Sequence, residues 1–308
     1  MRNARVTEAV RVSASLALYS GRGQGRGYVP ESTTYPHPNP LPEYRAREAR
    51  RVMPLTTLMM ILAVGCVADT ATKQNLTAGY TALDNRQFDE AIHRADEQLS
   101  RTPAGPGTAE ALYLKGRAIE QRVKPDQQQV QSDLQQAREM YVEALQQQPS
   151  PTLDAYARTS LANIDYSMDD YAAAMQKWSD VYRSLEDNEV RSWVLYRIGL
   201  CQQRLGQFEP ADRTFSTVID TYPNTPAAER ARQRMGLRSF AVQLATFDKP
   251  QAAEQAMQQL RKDGAVPQRL VDAQGHQVVT IGPAATYQQA KQLKSRYEAQ
   301  YPYASIVP

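Results

Sequence analysis

Two cysteines and three histidines are all that the 308-residue chain offers for thiol or imidazole chemistry, and they stand apart at Cys66, Cys201, His37, His93 and His276. No Cys-x-x-Cys or His-Glu-x-x-His spacing occurs, so neither a structural metal site nor a metal cofactor is expected. No Ser or Cys is placed with a His to make an activated nucleophile. Hydrolysis of a glycosidic bond would need two carboxyls on opposite sides of that bond. The C-terminal acids Asp248, Glu254, Asp263, Asp272 and Glu298 fall in expected loops and on helix surfaces instead. Bond-making chemistry is therefore not expected, and the chain reads as a non-enzyme without cofactors. What remains is recognition by hydrogen bonds, and the side chain best placed for it is Gln243, in the stretch "SFAVQLATF" from Ser239 to Phe247.

That stretch alternates Phe240, Val242 and Leu244 with Ala241, Gln243 and Ala245, the period of a strand with one buried face. Helical spacing follows in "QAAEQAMQQLRKDG", closed by Gly264 as a C-cap. "AVPQRLVDA" reads as an edge strand, because Pro267 cannot donate to a ladder. Gln274-Gly275 is expected to turn a tight hairpin into the strand "HQVVTIGP". An amphipathic helix with Ala290, Leu293 and Tyr297 on one stripe comes next, and "YASIV" ends the chain as a short strand. The order βαββαβ implies an antiparallel sheet with two helices on one face. Phe240, Val242, Leu244, Val279 and Ile281 should meet the helices. Ala241, Gln243 and Ala245, with Val278 and Thr280, should form an open face able to take a flat or extended ligand.

Upstream, the chain is helical and repeats itself. "GYTALDNRQFDEAIHRADEQLSRTP" (Gly79–Pro103) and "GLCQQRLGQFEPADRTFSTVIDTYP" (Gly199–Pro223) share one template of Gly, aromatic, Ala and Pro. Alanines in the third slot fall at Ala91, Ala137, Ala174 and Ala211; the last two steps are 37 residues, and an insertion around Val123–Gln131 lengthens the first. The pattern resembles tetratricopeptide repeats, in which small residues let paired helices approach and an aromatic fills the gap. "TYPNTPAAERARQRMG" looks like the final turn and capping helix of such an array. The resemblance implies an all-α superhelix over 70–237 whose concave face holds a protein partner. Candidate positions on the first helix of each pair are Asn75, Tyr80, Lys115, Asp165, Arg197 and Gln202.

The front of the chain has a different character. Residues 1–52 hold nine Arg against four Glu, whereas the body from 67 onward has 27 basic and 29 acidic side chains, so the basic charge belongs to the tail and nucleic acid is not an expected partner. With five Pro between Pro30 and Pro42 and few aliphatic residues, 1–52 should be disordered; translation starting nearer Met53 is the preferred reading, a basic leader the alternative. "MPLTTLMMILAVGC" (Met53–Cys66) then has the short apolar run of a signal peptide. Its end, Ala63-Val64-Gly65-Cys66, resembles the lipobox of bacterial lipoproteins. That implies acylation of Cys66 and a membrane anchor on the periplasmic face of the envelope, at the outer membrane by the residue after the cysteine.

The motifs "FAVQLATF", "VVTIGP" and "YQQAKQLKSRY" together resemble a SPOR domain, the sporulation-related repeat of bacterial division and envelope proteins, over 238–308. The resemblance implies a ferredoxin- or RNP-like fold that binds peptidoglycan glycan strands stripped of their stem peptides. By position it assigns glycan contacts to Gln243 and Thr246, with Ala245 and Thr280 on the same face and Tyr301, Tyr303, Ser305 and Ile306 rimming it through the last strand. His276 and Val278 stand where division proteins carry an aromatic and an Arg. The combined expectation is a lipid-anchored protein that docks on denuded glycan and recruits a protein partner in division or wall remodelling, enriched at the septum. The alternative is an envelope assembly scaffold acting through its helical array, with weak or no glycan binding.

Overall fold

The computed structural model describes residues 63–307, apart from 103, 105 and 123–126, together with two short strands near the N-terminus. Those strands, β1 (Leu18–Tyr19) and β2 (Arg26–Gly27), pair antiparallel within the stretch expected to be disordered; the rest of that stretch and the apolar run before Ala63 lie outside the described residues. Among the described residues no helix is long and apolar enough to cross a membrane.

Four helical hairpins follow: α1 (Ala63–Asp84) with α2 (Phe88–Arg101), α3 (Pro106–Gln121) with α4 (Gln127–Gln146), α5 (Pro151–Ser167) with α6 (Tyr171–Val181), and α7 (Asn188–Arg204) with α8 (Phe208–Thr221). A short helix, α9 (Pro226–Arg234), ends the series. The repeated alanines Ala91, Ala137, Ala174 and Ala211 are all fully buried. Their physical reason is close approach. A Cβ on Gly116 of α3 would lie 2.7 Å from the Tyr141 ring of α4, and one on Gly199 of α7 would lie 2.5 Å from the Phe215 ring of α8. These two hairpins therefore place a large aromatic of the second helix against a residue without a side chain on the first, and such packing admits no added volume.

The turns repeat as well. Arg86, Asp169 and Gly206 take positive φ at the same place in three hairpins, one residue before Gln87, Asp170 and Gln207. Ser150 and Thr225 cap α5 and α9 through the amides of Leu153 and Ala228, each with Pro at the first helical position.

The C-terminal sheet has strand order β4-β5-β3-β6, with β3 (Phe240–Phe247), β4 (Pro267–Val271), β5 (Gln277–Ala284) and β6 (Ser305–Val307). All three pairings are antiparallel. Helices α10 (Pro250–Lys262) and α11 (Tyr287–Tyr297) share a core with Phe240, Val242, Leu244, Val279 and Ile281, as the alternation predicts. Thr286 and Gln289 form a reciprocal capping box at the start of α11. The expected two-residue hairpin at Gln274-Gly275 is a longer turn, closed by Asp272 and His276.

By internal contact the described residues of the helical array and sheet divide after Ile198, and the second unit begins at Gly199. Within the second unit, α8 and α9 pack together with the sheet domain expected from 238. Phe208 of α8 packs against the sheet's apolar core, its ring 5.9 Å from Phe240, which in turn lies 5.6 Å from Tyr287. The Arg204 guanidinium sits 3.8 Å from the centre of the Tyr287 ring. Asp212 of α8 accepts from the Gly236 amide at 2.9 Å and pairs with Arg238 at 2.8 Å, which fixes the linker as well. Gly206, at φ +81°, would bring a Cβ within 2.8 Å of the Ala285 carbonyl oxygen.

Candidate functional site

The sheet face away from α10 and α11 is built by register. Gln268, Thr280, Gln243 and Ser305 are successive cross-strand partners from β4 to β6 and share one face. Leu270, Val278 and Thr246 form a second row beside them. Strict alternation would put Thr246 on the opposite face from Gln243. A register shift between Gln243 and Ala245 inserts Leu244 and reverses the parity. Leu244 stays in the core, Ala245 lies opposite the core residue Val279, and Thr246 swings to the open face. There the Gln243 amide donates to Thr246 Oγ1 at 3.3 Å. The bulge thus replaces Ala245 with Thr246 on the open side and sets two hydrogen-bonding groups together.

Three other positions differ from expectation. Ile306 pairs with Val242, so it faces the helices and packs against the sheet core, and it is Ser305 that stands beside Gln243. Val278 and Thr280 do lie on the open face but are only 6% and 4% exposed. They sit on an inner strand, with Thr280 between Gln268 and Gln243 and Val278 between Leu270 and Thr246, so their neighbours cover them. Those flanking side chains are the more exposed. Among them Gln268 was not legible in the sequence, since only pairing shows that it continues the Gln243 row, and pairing moves Ser305 from the rim into that row.

His276 is tethered. Its Nδ1 lies 2.9 Å from Asp272 Oδ2, and its Nε2 lies 3.7 Å from Asp248 Oδ1. Asp272 also accepts from the amides of His276 and Gln274 at 2.8 and 2.9 Å. Burial works to raise the Asp272 carboxyl, but the His276 ring and the two amides outweigh it and hold the group below the usual carboxylate range. The ring is therefore held in the turn at the end of the sheet by an acid the sequence had placed in a loop.

The residues expected on the concave face of the helical array have other work. Asn75 donates to the Arg94 carbonyl of α2 at 2.8 Å, and Tyr80 is 3% exposed. Lys115 pairs with Asp96 at 2.7 Å across α3 and α2. Asp165, buried, accepts from Arg138 of α4 and Lys177 of α6, both at 2.6 Å. Arg197 donates to Asn163 of α5, with its guanidinium 5.5 Å from the Trp178 ring centre. Gln202 accepts from Thr214 of α8 at 2.7 Å. Tyr80 lies in the core, and each of the other five makes a link from one helix to the next. First-helix position does not distinguish a residue facing a neighbouring helix from one facing a ligand.

Between α3 and α4 the array also holds a buried polar cluster that sequence reasoning missed. Tyr141 donates to Glu120 Oε2 at 2.6 Å, and Arg117 lies 3.0 Å from the Tyr113 hydroxyl. Burial pushes the Glu120 carboxyl up, against the pull of Arg117 and the Tyr141 hydrogen bond. Among the described residues no group of His, Cys, Asp and Glu is arranged to hold a metal ion.

Two family models match the chain: a SPOR domain over residues 236–308 and a tetratricopeptide repeat over residues 193–225. The C-terminal sheet is a SPOR domain, and the hairpin of α7 and α8 is a tetratricopeptide repeat. No curated protein matches the chain significantly in sequence. Solved structures similar to it include a thermophilic TPR protein from Thermus thermophilus, at 14% identity and a TM-score of 0.44, covering 53% of this chain and 80% of that one. Two structures of MamA are also similar, at 18% and 17% identity with TM-scores of 0.39 and 0.41. They cover 72% and 78% of this chain, and 97% and 100% of their own. A SPOR domain implies peptidoglycan binding, and tetratricopeptide repeats imply protein–protein contact.

Proposed function

We propose that this chain is a cell-envelope binding protein that docks on peptidoglycan glycan strands freed of stem peptides, through the open face of its SPOR domain, while its helical array holds a protein partner. The observation that carries the reading is the Gln243–Thr246 pair, two neighbouring polar groups on an otherwise uncharged sheet face. Strands that still carry peptides would clash with so flat a surface, which is how such a face selects denuded glycan without making or breaking a bond. Acylation at Cys66 tethers the protein to a membrane of the envelope, the outer one on the lipobox pattern, and glycan denuded at the division septum concentrates it there.

The test is a pull-down of the full chain with purified sacculi before and after amidase treatment. Binding rises with amidase and falls at least several-fold for Gln243→Ala, whose half-exposed side chain has little part in the core. A second reading, an envelope scaffold with weak glycan affinity, is favoured by one observation: His276, which stands where relatives carry an aromatic, is held by Asp272. Equal retention on both sacculi, or on neither, would select the scaffold.

A further inference from the structure

Every side chain in the two open-face rows is uncharged: Gln268, Thr280, Gln243 and Ser305 in one, Leu270, Val278 and Thr246 in the other. The polar row crosses all four strands. Three inter-strand steps of ~4.8 Å give a track of about 14 Å, the length of a short oligosaccharide. Glutamine amides offer both donors and acceptors, which suits hydroxyl and acetamido groups equally. Tyr303, two residues before Ser305 in the turn that leads into β6, is 71% exposed. A flat ring so open to water is a platform for the apolar face of a sugar. The charged groups Asp272 and Asp248 flank His276 at one end of the strands, away from this row.

We propose that the glycan lies across the strands, over Gln268, Gln243 and Ser305 and onto the Tyr303 ring, and that it is read through its neutral N-acetylated sugar backbone alone. Amidase cleavage frees a lactyl carboxylate on the sugar that carried the peptide. The rows present no cation to that carboxylate. Recognition therefore extends to uncharged N-acetylglucosamine oligomers and is insensitive to salt. The proposal rests on the glycan-binding reading of the same face.

Titration of the full chain with an N-acetylglucosamine hexamer, followed by calorimetry, tests it. The expected result is binding whose Kd changes by less than about twofold between ~50 and ~500 mM salt. Tyr303→Ala and Gln268→Ala each weaken it several-fold, while Tyr303→Phe keeps the ring and the affinity. Retention on amidase-treated sacculi without hexamer binding would overturn the proposal, because the carboxylate would then be required. Affinity that collapses with salt, or that ignores both alanine substitutions, would overturn it too. Failure to bind amidase-treated sacculi at all would instead remove the glycan-binding reading on which it stands.

Discussion

Asp272 shows how one side chain can hold a turn. Its carboxylate accepts from the His276 ring and from two amides of the same turn. A carboxyl whose folded-state pKa is lowered stabilises the fold above its unfolded-state pKa, and that stability is lost as pH falls through the folded value. Asp272→Asn should therefore cost about 1 kcal/mol at neutral pH. The gap in thermal midpoint between wild type and variant should close as pH drops below the ordinary carboxylate range. A gap that stayed constant with pH would assign the turn to its backbone rather than to the charge. At this scale the sequence was readable where a residue's neighbours are local. It offered Gln243 as a hydrogen-bonding group on the open face, which the register bears out. It could not pair Asp272 with His276, because the length of the turn was not visible in Gln274-Gly275.

At the scale of elements, the last helical hairpin and the sheet domain share one core. Phe208 comes from a helix yet packs among Phe240 and its neighbours. Phe208→Ala should cost about 2 kcal/mol, less than a fully buried aromatic because the side chain is only partly enclosed. The loss should appear as a lower midpoint for the sheet domain itself, followed through fragments 188–308 and 239–308. The shorter fragment, which lacks α8, should be less stable than the longer one, and the substitution should narrow the difference. Fragments of equal stability would mean that the sheet does not depend on the hairpin. Gly206→Val acts at the same joint, since its Cβ would strike the Ala285 carbonyl oxygen at a backbone angle that disfavours side chains. From the helical array onward element types were legible, because periods of 3.6 and 2 residues are local signals. Which side of β3 Thr246 occupies was not, because a bulge is a property of two strands.

For the whole molecule, the sequence orders a lipobox-like cysteine, a helical array and a SPOR sheet from the N-terminus onward. If Cys66 is acylated, Cys66→Ala should move the protein from the membrane fraction to the soluble fraction, with loss of the lipid mass from the wild-type chain. An unchanged distribution would remove the anchor from the account. The sequence by itself determined the repeat, the buried alanines, the strand and helix order and the family of the sheet domain, since each rests on spacing along one segment. Only the tertiary structure decided the rest. It linked five of the six candidate partner residues to neighbouring helices and put Tyr80 in the core, sent Ile306 against the sheet core and brought Gln268 and Ser305 into line with Gln243. It also joined α8 to the sheet. The physical reason is the same in each case: these facts depend on pairing between segments distant in the chain, where a shift of one residue changes which face a side chain occupies.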